Sequence, residues 1–203
     1  MKAALDVLHG GLVHGRRLRR LASLLAQHIP ARAQLLDVGS GDGQLAAGLQ
    51  QLRPDVTIRG VDVMVRPRTA IPVDAFDGRT LPLASRSVDV VTCIDVLHHA
   101  DDAAQLLREC ARVARRMVLV KDHLREGLLA VPTLRLMDWV GNARHGVALP
   151  YNYLSRAEWR ALIPSCGLCV ERWEEELGLY PGPAEWVFGR HLHVLATLTP
   201  VTA

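Results

Sequence analysis

The chain has 203 residues, 49% of them apolar, which suits a single domain, 1–203, with a sizeable core. Its 24 basic and 21 acidic residues are interspersed and leave a net charge of only +3, so no nucleic-acid partner is expected. No apolar run reaches the roughly 18 residues of a membrane span and no signal-peptide pattern opens the chain, which leads us to expect a cytoplasmic protein. Cys93, Cys110, Cys166 and Cys169 are few and unpatterned, as in a reducing compartment; Cys166-Gly167-Leu168-Cys169 has no second pair and reads as ordinary buried thiols.

In chain order, residues 16–29 have a helical pattern, with Leu18, Leu21, Leu24 and Leu25 on one face and Arg16, Arg17, Arg19 and Arg20 on the others. The arginines read either as a solvated basic flank or as part of a helix that closes over a ligand cleft. Pro30 ends this element. A strand is expected over Gln34 to Val38, followed by Gly39-Ser40-Gly41-Asp42-Gly43 and a helix over Gln44 to Leu52. Strand, glycine turn and helix make a nucleotide-binding layout. The glycines let backbone approach a ligand with no Cβ in the way, and the helix N-terminus offers unpaired N–H groups.

A second strand, Val56 to Asp62, ends in a carboxylate 25 residues after Asp37. That spacing and position match the acid that accepts hydrogen bonds from ribose hydroxyls in doubly wound folds. A third strand is expected over Ala70 to Val73. A fourth, Ser87 to Ile94, is largely apolar, as a sheet centre should be, and delivers Asp95-Val96-Leu97-His98-His99 at its end. Asp101 or Asp102 caps the next helix, with Leu106, Leu107, Cys110 and Val113 on one face. Met117 to Val120 reads as the fifth strand and brings Lys121-Asp122-His123 to the same edge.

Five alternations of strand and helix predict a doubly wound α/β sheet with ligands at the carboxyl ends of its strands. Residues 124–154 break this rhythm and are too long for a plain connection, so a substrate-covering insertion is expected there. Ser155-Arg156-Ala157-Glu158 is a capping box that opens a helix stopped by Pro164 and Gly167. Strands over Cys169 to Leu177 and His191 to Leu198 follow with no helix between them, and so should pair antiparallel.

Taken together, Leu35-Leu36-Asp37-Val38-Gly39-Ser40-Gly41-Asp42-Gly43, Gly60-Val61-Asp62, Asp77 with Leu81-Pro82, Ser87-Val88-Asp89-Val90-Val91 and Val96-Leu97-His98-His99 resemble the class I S-adenosylmethionine-dependent methyltransferases. The likeness covers roughly residues 34–115 and leans toward the small-molecule branch related to quinone-biosynthesis methyltransferases. Leu83 and Val88 stand where that family often has aromatics, a departure in packing more than in chemistry. The resemblance implies a Rossmann-like, seven-stranded, mostly parallel sheet whose last strand inserts antiparallel between the fifth and sixth.

It also implies S-adenosyl-L-methionine as cofactor, held by Asp37, Gly39, Ser40, Gly41, Gly43, Asp62, Val63, Asp77, Gly78 and Asp95. Asp74 competes with Asp77 for the adenine contact, and spacing from Leu81-Pro82 favours Asp77. Methyl transfer is a displacement at an activated sulfonium carbon, so alignment and exclusion of water matter most, and a base is needed only if the acceptor must lose a proton. His123 and His99 are the candidate bases; His98, Asn142, His145, Tyr151 and Tyr153 are candidates to line the pocket for a small-molecule acceptor. His191 and His193 would share a strand face, but no third ligand is identifiable and no metal is expected. The alternatives are a methyltransferase of protein or nucleic acid, or a noncatalytic binding protein on the same fold; an NAD-dependent dehydrogenase is a weaker rival, having no acid–base pair of that chemistry.

Overall fold

A computed structural model describes the backbone of residues 2–142 and 150–201 and the side chains of residues 15–140 and 150–201. Seven strands form one sheet: β1 Gln34–Val38, β2 Thr57–Asp62, β3 Val73–Ala75, β4 Val88–Ile94, β5 Ala114–His123, β6 Leu168–Glu174 and β7 His193–Pro200. Their order is β3-β2-β1-β4-β5-β7-β6. The first five pair in parallel, and β7 runs antiparallel to both β5 and β6. This is the doubly wound sheet with an inserted antiparallel last strand that the sequence led us to expect.

The helices are α1 Lys2–His28, α2 Gln44–Leu52, α3 Ala103–Val113, α4 Ala130–Asn142 and α5 Arg156–Ser165. Leu21, Leu24 and Leu25 of α1 and Leu49 of α2 bury one sheet face with Leu35, Ile58, Val90 and Leu119. On the other face Leu106, Leu107, Cys110 and Val113 of α3 and Trp159 and Ile163 of α5 pack on Leu36, Val91, Val118 and Val120. Consecutive residues of one strand thus feed opposite cores, which is why these strands read as continuous apolar runs. Asp102 caps α3 by accepting from Gln105 N at 2.8 Å, and both halves of the Ser155–Glu158 capping box form on α5. Among the described residues no helix is long and apolar enough to cross a membrane.

Several boundaries differ from expectation. β3 lies at Val73–Ala75 rather than over Ala70 to Val73, because Pro72 supplies only a carbonyl, to Gly60 N, while Ile71 turns inward beneath the glycine turn. β5 extends from Ala114 to His123, well beyond the apolar Met117 to Val120. Its entry is disguised by exposed Arg115 and Arg116, and its exit by Lys121, Asp122 and His123, which are polar yet buried. β6 stops at Glu174, short of Leu177. His191 lies before β7 in a left-handed turn residue, φ 58°, so it is exposed while His193 is buried, and the two do not share a strand face. Of the CxxC pair, Cys166 is buried but Cys169 is exposed on β6, and all four cysteines are free.

Candidate active site

The glycine turn lies between the end of β1 and the start of α2, with Gly39, Gly41 and Gly43 at φ 70°, 59° and 74°. A Cβ on Gly39 would collide with the Val96 side chain, and one on Gly43 would lie 2.8 Å from Ile71 Cγ1, so these two glycines serve close packing. Gly41 differs: a Cβ there would meet nothing within 4 Å. Its Cα faces open space, leaving the approach to the turn clear for a ligand. Ser40 turns its hydroxyl inward against Gly60, where it is buried without a hydrogen-bond partner among the described residues.

Two carboxylates flank this turn. Asp37 is 6% exposed, and its Oδ1 accepts from the Thr92 hydroxyl at 2.6 Å. Burial raises its pKa to about 6, with Asp62 adding to the rise and the Thr92 hydrogen bond opposing it. Asp62, at the end of β2, accepts from Gly41 N and from Met64 N, both at 2.8 Å. Each of its oxygens retains a lone pair for a hydroxyl. Beyond it, Val63, Met64 and Val65 are exposed apolar residues, and Val63 Cγ1 lies 3.1 Å from where a Cβ on Gly78 would sit. Asp77 Oδ1 accepts from Arg79 N at 2.8 Å and Thr80 N at 2.7 Å, fixing the loop that carries Gly78 and lowering its own pKa. Asp74 is instead paired with Arg59 at 2.5 Å on the sheet edge, whereas Asp77 shapes the loop whose Gly78 packs on Val63.

At the ends of β4 and β5 the chain buries a dense set of ionisable groups. Asp95 has φ 57°, a left-handed conformation that Asp tolerates better than most residues. Its Oδ1 lies 2.5 Å from Lys121 Nζ and its Oδ2 is paired with Arg17 of α1. Burial works against the Asp95 charge, but Lys121 and Arg17 prevail and hold its pKa well below the usual carboxylate range. Arg17 is therefore tied to the end of β4 and is not part of a solvated basic flank. Lys121 Nζ also lies 3.2 Å from His193 Nδ1, and the opposite nitrogen, Nε2, is 3.0 Å from Phe188 O. This places the imidazole proton on Nε2 and leaves His193 neutral, as burial and the Lys121 charge dictate.

Beside this group lie His98, His99, His123, Asp122, Asp138 and Tyr153. His98 and His99 occupy a single 3-10 turn, Leu97–His99. Asp122 ties that turn to β5: it accepts from Leu97 N at 3.0 Å and His123 N at 2.6 Å, and contacts His98 Nδ1 at 2.5 Å. Burial opposes a charge on His98, yet Asp122 and Asp138 outweigh it and push its pKa up to about 10. His123 is 4% exposed and held neutral by burial, with Lys121 also disfavouring its charge. Burial and neighbouring His98 likewise lower the pKa of His99, which is less enclosed than His123. Tyr153 donates to Asp138 Oδ2 at 2.5 Å, and Asn152 Nδ2 donates to Ala100 O at 3.2 Å, so the segment after α4 is fastened over this turn.

Most of the residues expected at the site are thus brought to the carboxyl edge of the sheet. Tyr151 packs near Tyr153, 6.1 Å between ring centroids, beneath Arg135. The Asn142 side chain and the whole of His145 lie outside the described residues. Sequence reasoning missed Lys121 and Asp138 as site residues. Asp138 had one signal, a lone carboxylate in the otherwise apolar run 136–140.

Residues 36–119 match the profile of a methyltransferase domain. In this match, in its sheet order and in the glycine turn with its two flanking acids, the chain is similar to the class I S-adenosylmethionine-dependent methyltransferases, whose cofactor is S-adenosylmethionine. A ubiquinone biosynthesis O-methyltransferase of Saccharophagus degradans is 33% identical over 48% of this chain and 48% of its own length. A demethylmenaquinone methyltransferase of Thermotoga maritima is 26% identical over 78% of this chain and 74% of its own. The structure of a SAM-dependent methyltransferase from Aquifex aeolicus superposes with a TM-score of 0.64 at 17% identity, covering 91% of this chain and 93% of that one. The chain spans less than half the length of several of the ubiquinone methyltransferases it matches, 38% to 48%.

The residues at the glycine turn fit the cofactor. Open space above Gly41, a buried carboxylate at Asp37 able to meet an ammonium group, a second at Asp62 able to meet hydroxyls and an exposed apolar surface at Val63, packed on Gly78, match its chemical parts in turn.

Proposed function

We propose that the protein transfers the methyl group of S-adenosylmethionine to a small organic acceptor bound between the β4 and β5 ends and the segment 124–154. The observation that supports this reading is the packing of Val96 on Gly39, which brings the glycine turn next to the turn bearing His98 and His99. In this reading Asp62 takes the ribose, Val63, Asp77 and Gly78 the adenine, and Asp37 with the glycine turn the methionine end. Asp95 orders the cleft edge between Arg17 and Lys121.

Of the two candidate bases, His99 suits proton removal better than His123. Both are neutral, but His99 is only partly buried, whereas His123 is enclosed with Nε2 directed at Asp138 Oδ1, 3.3 Å away. Tyr151 and Tyr153 would form the wall of the acceptor pocket. The names of the two bacterial relatives support testing phenolic and quinol-like acceptors first.

Calorimetric titration with S-adenosylmethionine and its demethylated product, followed by turnover assays on a panel of phenols, amines and carboxylates, tests the proposal. Cofactor binding with turnover of at least one acceptor is expected, and His99→Ala should lower turnover about 100-fold or more while sparing cofactor affinity. No cofactor affinity would overturn the reading, and full activity in His99→Ala would remove it as the base.

A further inference from the structure

Three side chains from separate segments converge beside the proposed acceptor pocket: His98 on the turn after β4, His123 at the end of β5 and Asp138 on α4. Each contributes one potential ligand atom, all within 4.8 Å of one another, and the residues are 2%, 4% and 4% exposed. Asp138 Oδ1 lies 3.3 Å from His123 Nε2, and Asp138 Oδ2 lies 3.5 Å from His98 Nε2. Charge-assisted hydrogen bonds between such groups close to about 2.7–2.9 Å. Although His98 Nε2 is buried, it has no hydrogen-bond partner among the described residues. Both spacings are close to the roughly 3.3 Å between two donors that each sit about 2.0–2.1 Å from one tetrahedral ion, one running to each Asp138 oxygen, so a small turn of the carboxylate brings a single oxygen between the two imidazoles.

The surroundings are arranged in the same sense. The outer nitrogen of His98, Nδ1, is held at 2.5 Å by Asp122 Oδ1, and that carboxylate is itself fixed by two backbone N–H groups. A carboxylate on the far nitrogen is what orients an imidazole for metal ligation and sets its tautomer, and ligation releases to solvent the second ring proton that Asp122 and Asp138 otherwise hold on His98. Tyr153 orients Asp138 from the other side. Asp95 pairs with both Lys121 and Arg17 and so offsets one of their two charges, while Asp122 and Asp138 set two carboxylates directly against the imidazoles.

We propose that His98 Nε2, His123 Nε2 and an oxygen of Asp138 bind one divalent transition-metal ion of the zinc type. Two imidazole nitrogens and one carboxylate favour zinc, cobalt or iron over magnesium and calcium, which prefer oxygen. Three protein ligands leave a coordination position open. An oxygen of the acceptor would fill it, its acidity raised by the ion; this role rests on the small-acceptor reading, whereas ion binding itself does not.

Full-length protein stripped with a chelator is titrated with zinc(II) by calorimetry and with cobalt(II) followed by visible absorption. One ion per chain is expected, with cobalt bands of a nitrogen and oxygen ligand set and no thiolate charge-transfer band. Binding should weaken at least about 100-fold in His123→Ala and in Asp138→Ala, about 10–100-fold in Asp122→Asn, and not at all in His191→Ala or Cys169→Ser. Cooperative melting and retained affinity for the demethylated cofactor identify the variants that fold, and the wild-type stoichiometry and cobalt spectrum stand without them. The absence of saturable one-to-one binding by the wild type at micromolar zinc would overturn the site, as would binding undiminished in folded His123→Ala and Asp138→Ala. Cofactor affinity measured on the same wild-type samples fails or holds independently, which separates loss of this site from loss of the methyl-transfer reading.

Discussion

Asp37 shows how a single residue couples stability to ligand chemistry. Its pKa is about 6 in the folded chain against about 3.8 unfolded, so burying it is free of penalty below about pH 3.8, costs stability progressively as pH rises from there to about 6, and the cost is constant above. At neutral pH that cost is about 2–3 kcal/mol in the absence of ligand. Asp37→Asn keeps an acceptor for the Thr92 hydroxyl and removes the charge. Thermal melts of the ligand-free protein should therefore place the variant above the wild type at pH 7.5, with the gap closing as pH falls from 6 to 4. Cofactor affinity should move the other way. In the proposed pose a charged Asp37 would face the cofactor's ammonium, so wild-type affinity is expected to fall as pH drops through about 6, while that of Asp37→Asn is weaker throughout and flat in pH; a wild-type affinity independent of pH would exclude this role.

At the scale of elements, the strand, turn and helix over β1 and α2 assign different duties to glycines that look alike in sequence. Gly39 is pressed on Val96, whereas Gly41 faces open space, and both have positive φ. Gly39→Ala should therefore lose about 2–4 kcal/mol in urea denaturation, from left-handed strain plus a clash, and Val96→Ala in the same chain should recover part of it. Gly41→Ala should lose only about 1 kcal/mol, and its larger effect should appear as weakened cofactor binding in calorimetry. Equal destabilisation by the two would show that the turn is uniformly packed. α4 completes the site from a different direction. Ala130 and Leu134 pack on Tyr153 and Leu192, and this contact presents Asp138 to the two histidines.

Across the whole molecule, Asp95 joins three elements, with Arg17 from α1, its own position after β4 and Lys121 from β5. Lys121 is fully buried, so removing its partner leaves a cation that can neither reach water nor find an equal counter-charge. Asp95→Asn retains a residue suited to φ 57° and so isolates the charge. A loss of about 3 kcal/mol is expected in equilibrium denaturation, against about 1 kcal/mol for Arg17→Ala, whose side chain is partly exposed. Equal losses would mean that the tie to α1, not the buried lysine, dominates.

The sequence alone determined the doubly wound class, the glycine turn, the place of Asp62 at the end of β2 and the capping of α3 and α5, because each of these depends on local periodicity or on backbone requirements of a few adjacent residues. Even the place of the last strand followed, through the resemblance, from motifs confined to one half of the chain. Only the tertiary structure decided what the polar residues do. Lys121, Asp122 and His123 are three consecutive residues that the fold buries with different partners, Asp95 and His193 for the first, the turn at Leu97–His99 for the second and Asp138 for the third. Asp138 joins His98 across 40 positions of sequence. A buried charge is tolerated only where partners from distant segments meet it, and no local pattern records which segments those will be.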